Sequence, residues 1–330
     1  MFNKTFMLAA AVTACVQQPQ TPVFRGSTDV VVADVRISDR SGVPLEGLTA
    51  ADFSLKVDGK PRPIASVNFW RLGDQPATVN EQRFSTIGGI NPVNAESYVL
   101  FVVDPQNMRP EPSRILFDQA AQFLTSFDPA HAIGLMVVPE PRLRHKFGVL
   151  RQPLAATMKQ QLGIWDGKPA HSNWAMTLGA LTRAVDELSQ VDGRRTLVYF
   201  GDFFDEDRVS FIEDLARRAN LSDVAIYVVA SDSLETPSVP ELLSQRKDNS
   251  LAPGGQYGAL GVLADGTGGR VFRRVVTGAI VLPQIARALS AHYVLTFNVE
   301  SADKDGKSHK IDIKVNRKDV DVGFRREFAR

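Results

Sequence analysis

Apolar and polar positions fall into three regimes along this chain. Between residues 28 and 72 apolar positions recur at roughly every second residue, as in strands with one covered face. Asp29-Val-Val-Val-Ala-Asp-Val-Arg-Ile37 alternates in part, and Asp39-Arg-Ser-Gly-Val-Pro44 supplies a turn. Phe53-Ser-Leu-Lys-Val57 alternates strictly, Asp58-Gly59 is a hairpin signal, and Ile64 to Trp70 reads as a third strand. Residues 73–96, with Gln, Asn, Gly and Pro scattered through them, read as a connector.

From Ser97 the pattern changes. Tyr98-Val-Leu-Phe-Val-Val103 is a continuous apolar run, and so are Ala132–Val138, Thr196–Phe200 and Val224–Ala230. Such runs fit strands covered on both faces, as in parallel sheets. Between them lie helical spacings. Ile115, Leu116, Ala120, Phe123, Leu124 and Phe127 mark one helix, with Pro112 and Ser113 suited to its first turn. Leu178, Leu181, Val185, Leu188 and Val191 mark a helix over about 173–191, and Val209, Ile212, Leu215 and Ala219 another over 208–220.

After about residue 292 strands return without helices: Tyr293 to Glu300, Lys310 to Val315, and Val322 to Phe328, with Asp303-Lys-Asp-Gly306 turning between the first two. The expectation is therefore an α/β protein with a doubly wound, mostly parallel sheet over 97–292. A β-sandwich-like domain, built from the N- and C-terminal strands (28–72 with 293–330), accompanies it.

Composition narrows the classes. The chain has 330 residues, 44% hydrophobic, with 38 basic against 37 acidic side chains, so there is enough apolar material for a large core and no nucleic-acid footprint. The first fifteen residues, MFNKTFMLAAAVTAC, pair a short basic region with an apolar run too short to span a bilayer. The single cysteine, Cys15, follows Val12-Thr13-Ala14, which resembles a bacterial lipobox. The expectation is a signal over 1–15, lipidation at Cys15 and a polar tether over 16–27, giving an envelope protein anchored to the membrane through its lipidated N-terminus. An ordinary cleaved secretory signal is the alternative.

The richest position for chemistry is Asp104, at the carboxyl end of the run that starts at Tyr98. Ligands and metals bind at such ends in open α/β sheets. The following turn, Pro105-Gln-Asn-Met-Arg-Pro110, has no glycine and cannot cradle a phosphate. Leu197-Val-Tyr-Phe-Gly-Asp202 is a second strand ending in an aspartate. The five histidines are dispersed and show no zinc spacing, and no Gly-x-Ser-x-Gly elbow is present. Arg142, Arg144, His145, Lys146 and Arg151 form a basic stretch that either faces solvent or meets an acidic partner. The acidic run at 205–207 lacks the glycine and distal glutamate of an EF-hand loop. The long polar segment 246–258 reads as a functional or mobile loop.

These features in order resemble the von Willebrand factor type A domain. The match rests on the two aspartate-ended strands, on Leu263-Ala-Asp-Gly-Thr-Gly-Gly-Arg-Val-Phe272 before a last strand, and on Ile285 to Phe297 as a closing helix running into a strand. The flanks Pro44 to Phe53 and Asp305 to Ile313 look like exported bacterial VWFA-related proteins, so the resemblance covers nearly the whole mature chain. It implies protein–protein interaction at the carboxyl edge of the sheet, and no enzymatic activity.

The family's metal-ion-dependent adhesion site takes an Asp-x-Ser-x-Ser turn, a threonine and a later aspartate. Mapped on that pattern, the residues here are Asp104, Gln106, Met108, Thr177 (with Ala175 an equal counterpart) and Asp202. An amide and a thioether replace two hydroxyls, and a thioether suits a hard cation poorly. The resemblance thus implies a degenerate site, with no cofactor expected or Mg2+ bound only weakly. A retained, Mg2+-dependent ligand site is the alternative, and an uncharacterised α/β enzyme a third reading. Without a metal, Asp104 and Asp202 would accept backbone N–H groups or cap a helix, and one of them would carry a raised pKa or a basic neighbour such as Arg109. Asn107, Met108, Asn173, Trp174 and Phe203 are the candidates for contact with a partner protein. Trp165 and Trp174 read as loop residues beside the same edge; exposed aromatics there would be interface anchors, and buried packing is the plainer reading of each.

Overall fold

The computed structural model describes residues 30–73, 95–140, 142–165, 173–202, 209–231, 258–272 and 278–329. The expected signal, Cys15, the tether, most of the connector, Phe203, the acidic run 205–207 and segment 246–257 lie outside the described residues. No helix among the described residues is long and apolar enough to cross a membrane.

The chain opens with β1 (Val30–Asp39), β2 (Phe53–Val57), β3 (Lys60–Arg62) and β4 (Ile64–Arg71). The β2–β3 turn is Asp58-Gly59, both at positive φ (48° and 78°), the backbone that a two-residue hairpin requires. Next come β5 (Ser97–Val103), α1 (Pro110–Thr125), β6 (His131–Val137), β7 (Leu143–Gly148), α2 (Gln152–Lys159) and α3 (Trp174–Ser189). They are followed by β8 (Arg194–Phe200), α4 (Val209–Leu221), β9 (Val224–Val229), α5 (Gly258–Gly266), β10 (Val271–Phe272) and α6 (Gly278–Leu289). The last strands are β11 (Ala291–Asn298), β12 (Ser308–Val315), β13 (Val320–Phe324) and β14 (Glu327–Ala329).

The central sheet has six strands in the order β10-β9-β8-β5-β6-β7, parallel except for β7, which runs antiparallel to β6. Every residue of β5 is buried, because helices cover both faces. Val99, Phe101 and Val103 pack with Leu116, Phe117, Leu154 and Ile285 on the α1, α2 and α6 side. Tyr98, Leu100 and Val102 pack with Leu181, Ile212 and Leu263 on the α3, α4 and α5 side. The chain moves outward from β5 to β6 and then returns to β8 on the other flank. The crevice between the carboxyl ends of β5 and β8 is therefore a topological switch point. The edge strand β7 turns Arg144 and Lys146 outward, whereas Arg151 is folded in and donates to the carbonyls of Gly148, Asp128 and His131.

The strands from the two chain ends form two further four-stranded sheets, β13-β1-β11-β4 and β14-β12-β2-β3. One apolar cluster joins them, with Val31, Val35, Leu55, Tyr293, Phe297, Ile311 and Phe324 at its centre. The run Val322 to Phe328, expected as one strand, is two. It bends at Arg325-Arg326 so that β13 pairs with β1 and β14 with β12, one piece for each sheet. The bend is held by Asn220 of α4, whose Oδ1 accepts from the Arg326 N–H at 2.8 Å.

The Thr267-Gly-Gly segment joins these layers. Thr267 Oγ1 donates to the Leu263 carbonyl at 2.9 Å and accepts from the Ile226 N–H at 3.0 Å, tying the end of α5 to β9. A Cβ on Gly268 would lie 2.4 Å from the Phe324 oxygen, and one on Gly269 1.8 Å from the Ile226 oxygen, so both positions need bare backbone. Beside them Arg36 donates to the Gly268 carbonyl at 2.8 Å, and Arg194 donates to His292 Nδ1 at 2.9 Å.

Candidate functional site: a closed acidic corner at the switch point

Asp104 is the first residue after β5 and is fully buried. It caps a single 3-10 turn, Pro105–Asn107, by accepting from the Gln106 N–H at 3.2 Å through Oδ1. Its other oxygen, Oδ2, takes three donors. Thr177 Oγ1, in the first turn of α3, donates at 2.5 Å; Asn107 Nδ2 donates at 2.7 Å; and the Tyr199 hydroxyl, from β8, donates at 3.0 Å. Asn107 Nδ2 also donates to Thr177 Oγ1 at 2.7 Å, and Asn107 Oδ1 accepts from the Asn173 N–H at 3.3 Å. Asp104, Asn107 and Thr177 thus form a closed ring in which every side-chain donor and acceptor has a partner.

Electrostatics follow from that enclosure. Burial pushes the Asp104 carboxyl above its ordinary range, and the bonds from Thr177, Asn107 and Tyr199 pull partly against it. Burial, reinforced by the charge of Asp104, raises the Tyr199 hydroxyl well above its ordinary value, so it remains a donor at neutral pH. Arg109 does not serve as the basic neighbour; its guanidinium lies over the ring of Trp165, 5.8 Å from the centroid. Trp165 itself is buried, as expected from the sequence.

The turn is clamped from a third direction. The N–H groups of Ile164 and Trp165 donate to the carbonyls of Pro105 and Met108 at 2.9 and 3.0 Å. Gly163, just before them, lies so close that a Cβ would meet the Met108 oxygen at 2.3 Å, and its N–H donates to the buried Ser113 hydroxyl at 2.7 Å.

Several expected roles change with these positions. Gln106 contributes its backbone N–H, not a side-chain oxygen. Met108 is fully buried and packs in the apolar cluster under α1 and α2, so it neither ligates nor faces a partner. Asn107 is likewise fully buried and works inside the corner. Asn173 contributes a backbone N–H at the mouth. Trp174 is not in a loop but begins α3, half-buried against Phe211 with ring centroids 5.8 Å apart. Asp202, after β8, accepts from the Ser231 N–H through one oxygen and from the Ser231 hydroxyl through the other, both at 2.5 Å. Phe203 lies outside the described residues.

Tyr199 and Ser231 are the parts that sequence reasoning missed. A tyrosine at the buried carboxyl end of a strand is itself a signal, since a buried hydroxyl needs a partner. Ser231 carried none.

A divalent cation does not fit the corner as it stands. Both oxygens of Asp104 and both of Asp202 hold donors, and an amide nitrogen lies between the two best oxygen ligands. Among the described residues no group of three or more His, Cys, Asp or Glu is placed to hold a metal.

Beside the corner, α3 and α4 leave a groove of about 490 Å³. It is lined by Trp174, Ala175, Leu178, Gly179, Arg183 and Phe211, and it is bounded by the Asp186–Arg218 ion pair. Its mouth lies at the carboxyl edge. Exposed Leu162 and Ile164 flank the 105–108 turn from the other side, and exposed Met176 stands on the first turn of α3.

Fold and site together define a mixed α/β protein whose mostly parallel sheet carries a hydrogen-bonded acidic corner at its switch point. No family model matches the chain, and no curated protein matches it. Among solved structures it is similar to the VWA domain of SpRpn10, with a TM-score of 0.35 and 12% identity over 58% of this chain and 94% of that one. It is also similar to the human COPII-coat protein Sec24c, with a TM-score of 0.34 and 9% identity over 70% of this chain and 43% of that one. These scores are low, and the class of fold stands on the strand order alone.

Proposed function

We propose that this chain is a non-enzymatic binding protein that meets a protein partner at the carboxyl edge of its central sheet, without a metal in the contact. The observation that carries this reading is the groove between α3 and α4. Spanning Trp174 to Asp186, it runs about 18 Å along α3, at 1.5 Å per residue. Aromatic walls at its mouth and the small Ala175 and Gly179 along one side offer room for apolar side chains, and Arg183 at the rim offers a charge. A segment with an apolar stripe and a carboxylate facing Arg183 is the complement. Half-buried aromatics of this kind are frequent anchors of protein contacts. The resemblance to von Willebrand factor type A domains, carried by the residues quoted above, supports the same edge. The satisfied carboxylates of Asp104 and Asp202 support binding without Mg2+.

The location belongs to the same proposal. Cys15 behind Val12-Thr-Ala14 supports export and lipid anchoring in a bacterial envelope, with residues 16–27 as the tether. Replacing Cys15 by Ala and scoring membrane retention tests that part; retention unchanged by the substitution counts against it.

The binding role is tested with the Trp174→Ala/Phe211→Ala double variant. Proteins crosslinked to the native chain in envelope extracts, in the presence of a chelator, are compared with those crosslinked to a variant of unchanged far-ultraviolet circular dichroism. A partner held by the native chain and lost from the variant supports the reading. A partner lost when the chelator is added, or held equally by both chains, overturns it.

A further inference from the structure

The ring in the corner has dimensions that bear on cations. Thr177 Oγ1 and Asp104 Oδ2 lie 2.5 Å apart, and Asn107 Nδ2 sits 2.7 Å from each of them. The nitrogen therefore bridges a carboxylate and a hydroxyl from elements 73 residues apart, and presents to both a partial positive charge. The amide is fixed in that sense. Its oxygen accepts from the Asn173 N–H, and the reversed orientation would set that oxygen against the carboxylate. With Mg–O distances of about 2.0–2.1 Å, an ion bridging the same two oxygens from the same side would lie within about 1 Å of the nitrogen. Amide and ion exclude each other.

We infer that Asn107 is a built-in substitute for a divalent cation, closing with its side-chain amide a corner whose oxygens would otherwise take a hard metal ion. The inference rests on the metal-independent reading of the corner but not on any partner, and it is tested with the chain alone. The corner lacks little else. Thr177 and Asp104 supply a hydroxyl and a carboxylate in contact, and a carboxylate in place of the amide would supply a third oxygen donor and a second negative charge. Ligand charge count, with site rigidity, sets cation affinity in such sites. The amide supplies between the end of β5 and α3 the cross-link that an ion would otherwise provide.

The experiment compares the unsubstituted full chain with Asn107→Asp and Asn107→Ser. Thermal melts are run in chelator and in millimolar Mg2+, and Mn2+ binding is followed by paramagnetic resonance. The unsubstituted chain should melt at the same temperature in both media. Asn107→Asp should melt lower in chelator and recover with Mg2+, and its Mn2+ affinity should rise by about tenfold or more through the added ligand charge. Adding Asp104→Asn should remove the gain. The inference is overturned if the unsubstituted chain holds stoichiometric Mn2+ and is stabilised by it. It is equally overturned if folded Asn107→Asp binds no more Mn2+ than its parent. Should Asn107→Asp fail to fold even with Mg2+, Asn107→Ser decides: an ion-dependent rise in melting temperature supports the inference, and no rise overturns it. None of these outcomes bears on the groove, so a failure here leaves the partner reading to its own test.

Discussion

Tyr199 reaches from the buried end of β8 to donate its hydroxyl to Asp104 at 3.0 Å, and both groups are fully buried. That bond carries a pH signature. The folded pKa of Asp104 is raised by burial, so its ionisation works against folding as pH climbs through and beyond the ordinary carboxylate range. Donors to the carboxylate reduce that penalty. Tyr199→Phe removes one of them and should cost about 1–3 kcal/mol at neutral pH, the range for an under-satisfied buried acceptor. The cost should shrink on acidification, as Asp104 takes up its proton. Urea unfolding of both proteins near pH 7 and near pH 4 checks this; an equal loss at both would show that the bond does not stabilise the ionised form.

Two glycines should respond very differently to alanine. Gly59 has φ +78° and nothing near its missing Cβ, so Gly59→Ala costs only the left-handed backbone, about 1–2 kcal/mol. A Cβ on Gly269 would lie 1.8 Å from the Ile226 oxygen, so Gly269→Ala must push β9 and the end of α5 apart. Its cost should be about 3 kcal/mol or more, at the upper end of overpacking losses. Denaturation midpoints of the two variants should differ accordingly, with Gly269→Ala the less stable.

His309 is a pH-dependent tether. Its Nδ1 meets Asp58 at 2.8 Å and its Nε2 meets Asp305 at 3.1 Å, linking β12 to two turns. The bond to Asp58 raises its pKa, so the stability that it contributes is full below its ordinary value and is lost as pH rises through the raised one. The stability difference between the native chain and His309→Gln should therefore be larger near pH 6 than near pH 9. Nuclear magnetic resonance titration of the imidazole gives the same sign independently, as a midpoint above that of a free histidine.

His131 and His292 act in the opposite direction. Burial, with Arg194 nearby, lowers His131 to about 4 and His292 to about 3. Both take up protons on unfolding below their ordinary pKa, so each makes the fold less stable as pH falls. Asp34, raised to about 6 chiefly by burial, and Asp104 work against that trend. Replacing His131 by Asn removes one proton from the balance. Relative to its parent, the variant should gain about 1.4 kcal/mol for each pH unit between roughly 6 and 4.5. Unfolding midpoints across that window give the slope, and a constant difference would contradict the assignment.

Much of the fold was legible in the sequence because its signals are local. The unbroken run of Tyr98 to Val103 announces a strand covered on both faces, and Asp58-Gly59 announces a hairpin. The strict alternation of Lys310 to Val315 announces a half-buried strand. Each depends only on residues a few positions apart. The bend at Arg325-Arg326 was not legible, because no local pattern there marks a change of partner sheet. Asn220, which holds it, comes from a helix more than a hundred residues earlier.

The site divides in the same way. Asp104 was found from its place at a strand end, and Asp202 likewise, whereas Met108 and Asn107 were misjudged as partner-facing. A spacing pattern gives order along the chain but not the direction in which a side chain leaves a tight turn. The sequence by itself determined the parallel strands β5, β6, β8 and β9, the helices α1, α3 and α4, and the acidic residue at the switch point, since hydrophobic periodicity is a property of neighbours. Only the tertiary structure decided that Asn107 bridges Asp104 to Thr177, 70 residues away, and that Tyr199 completes the shell. Hydrogen bonds act within about 3 Å and along fixed directions. Their pairing is set by how β5, α3 and β8 pack, and by nothing that can be read one residue at a time.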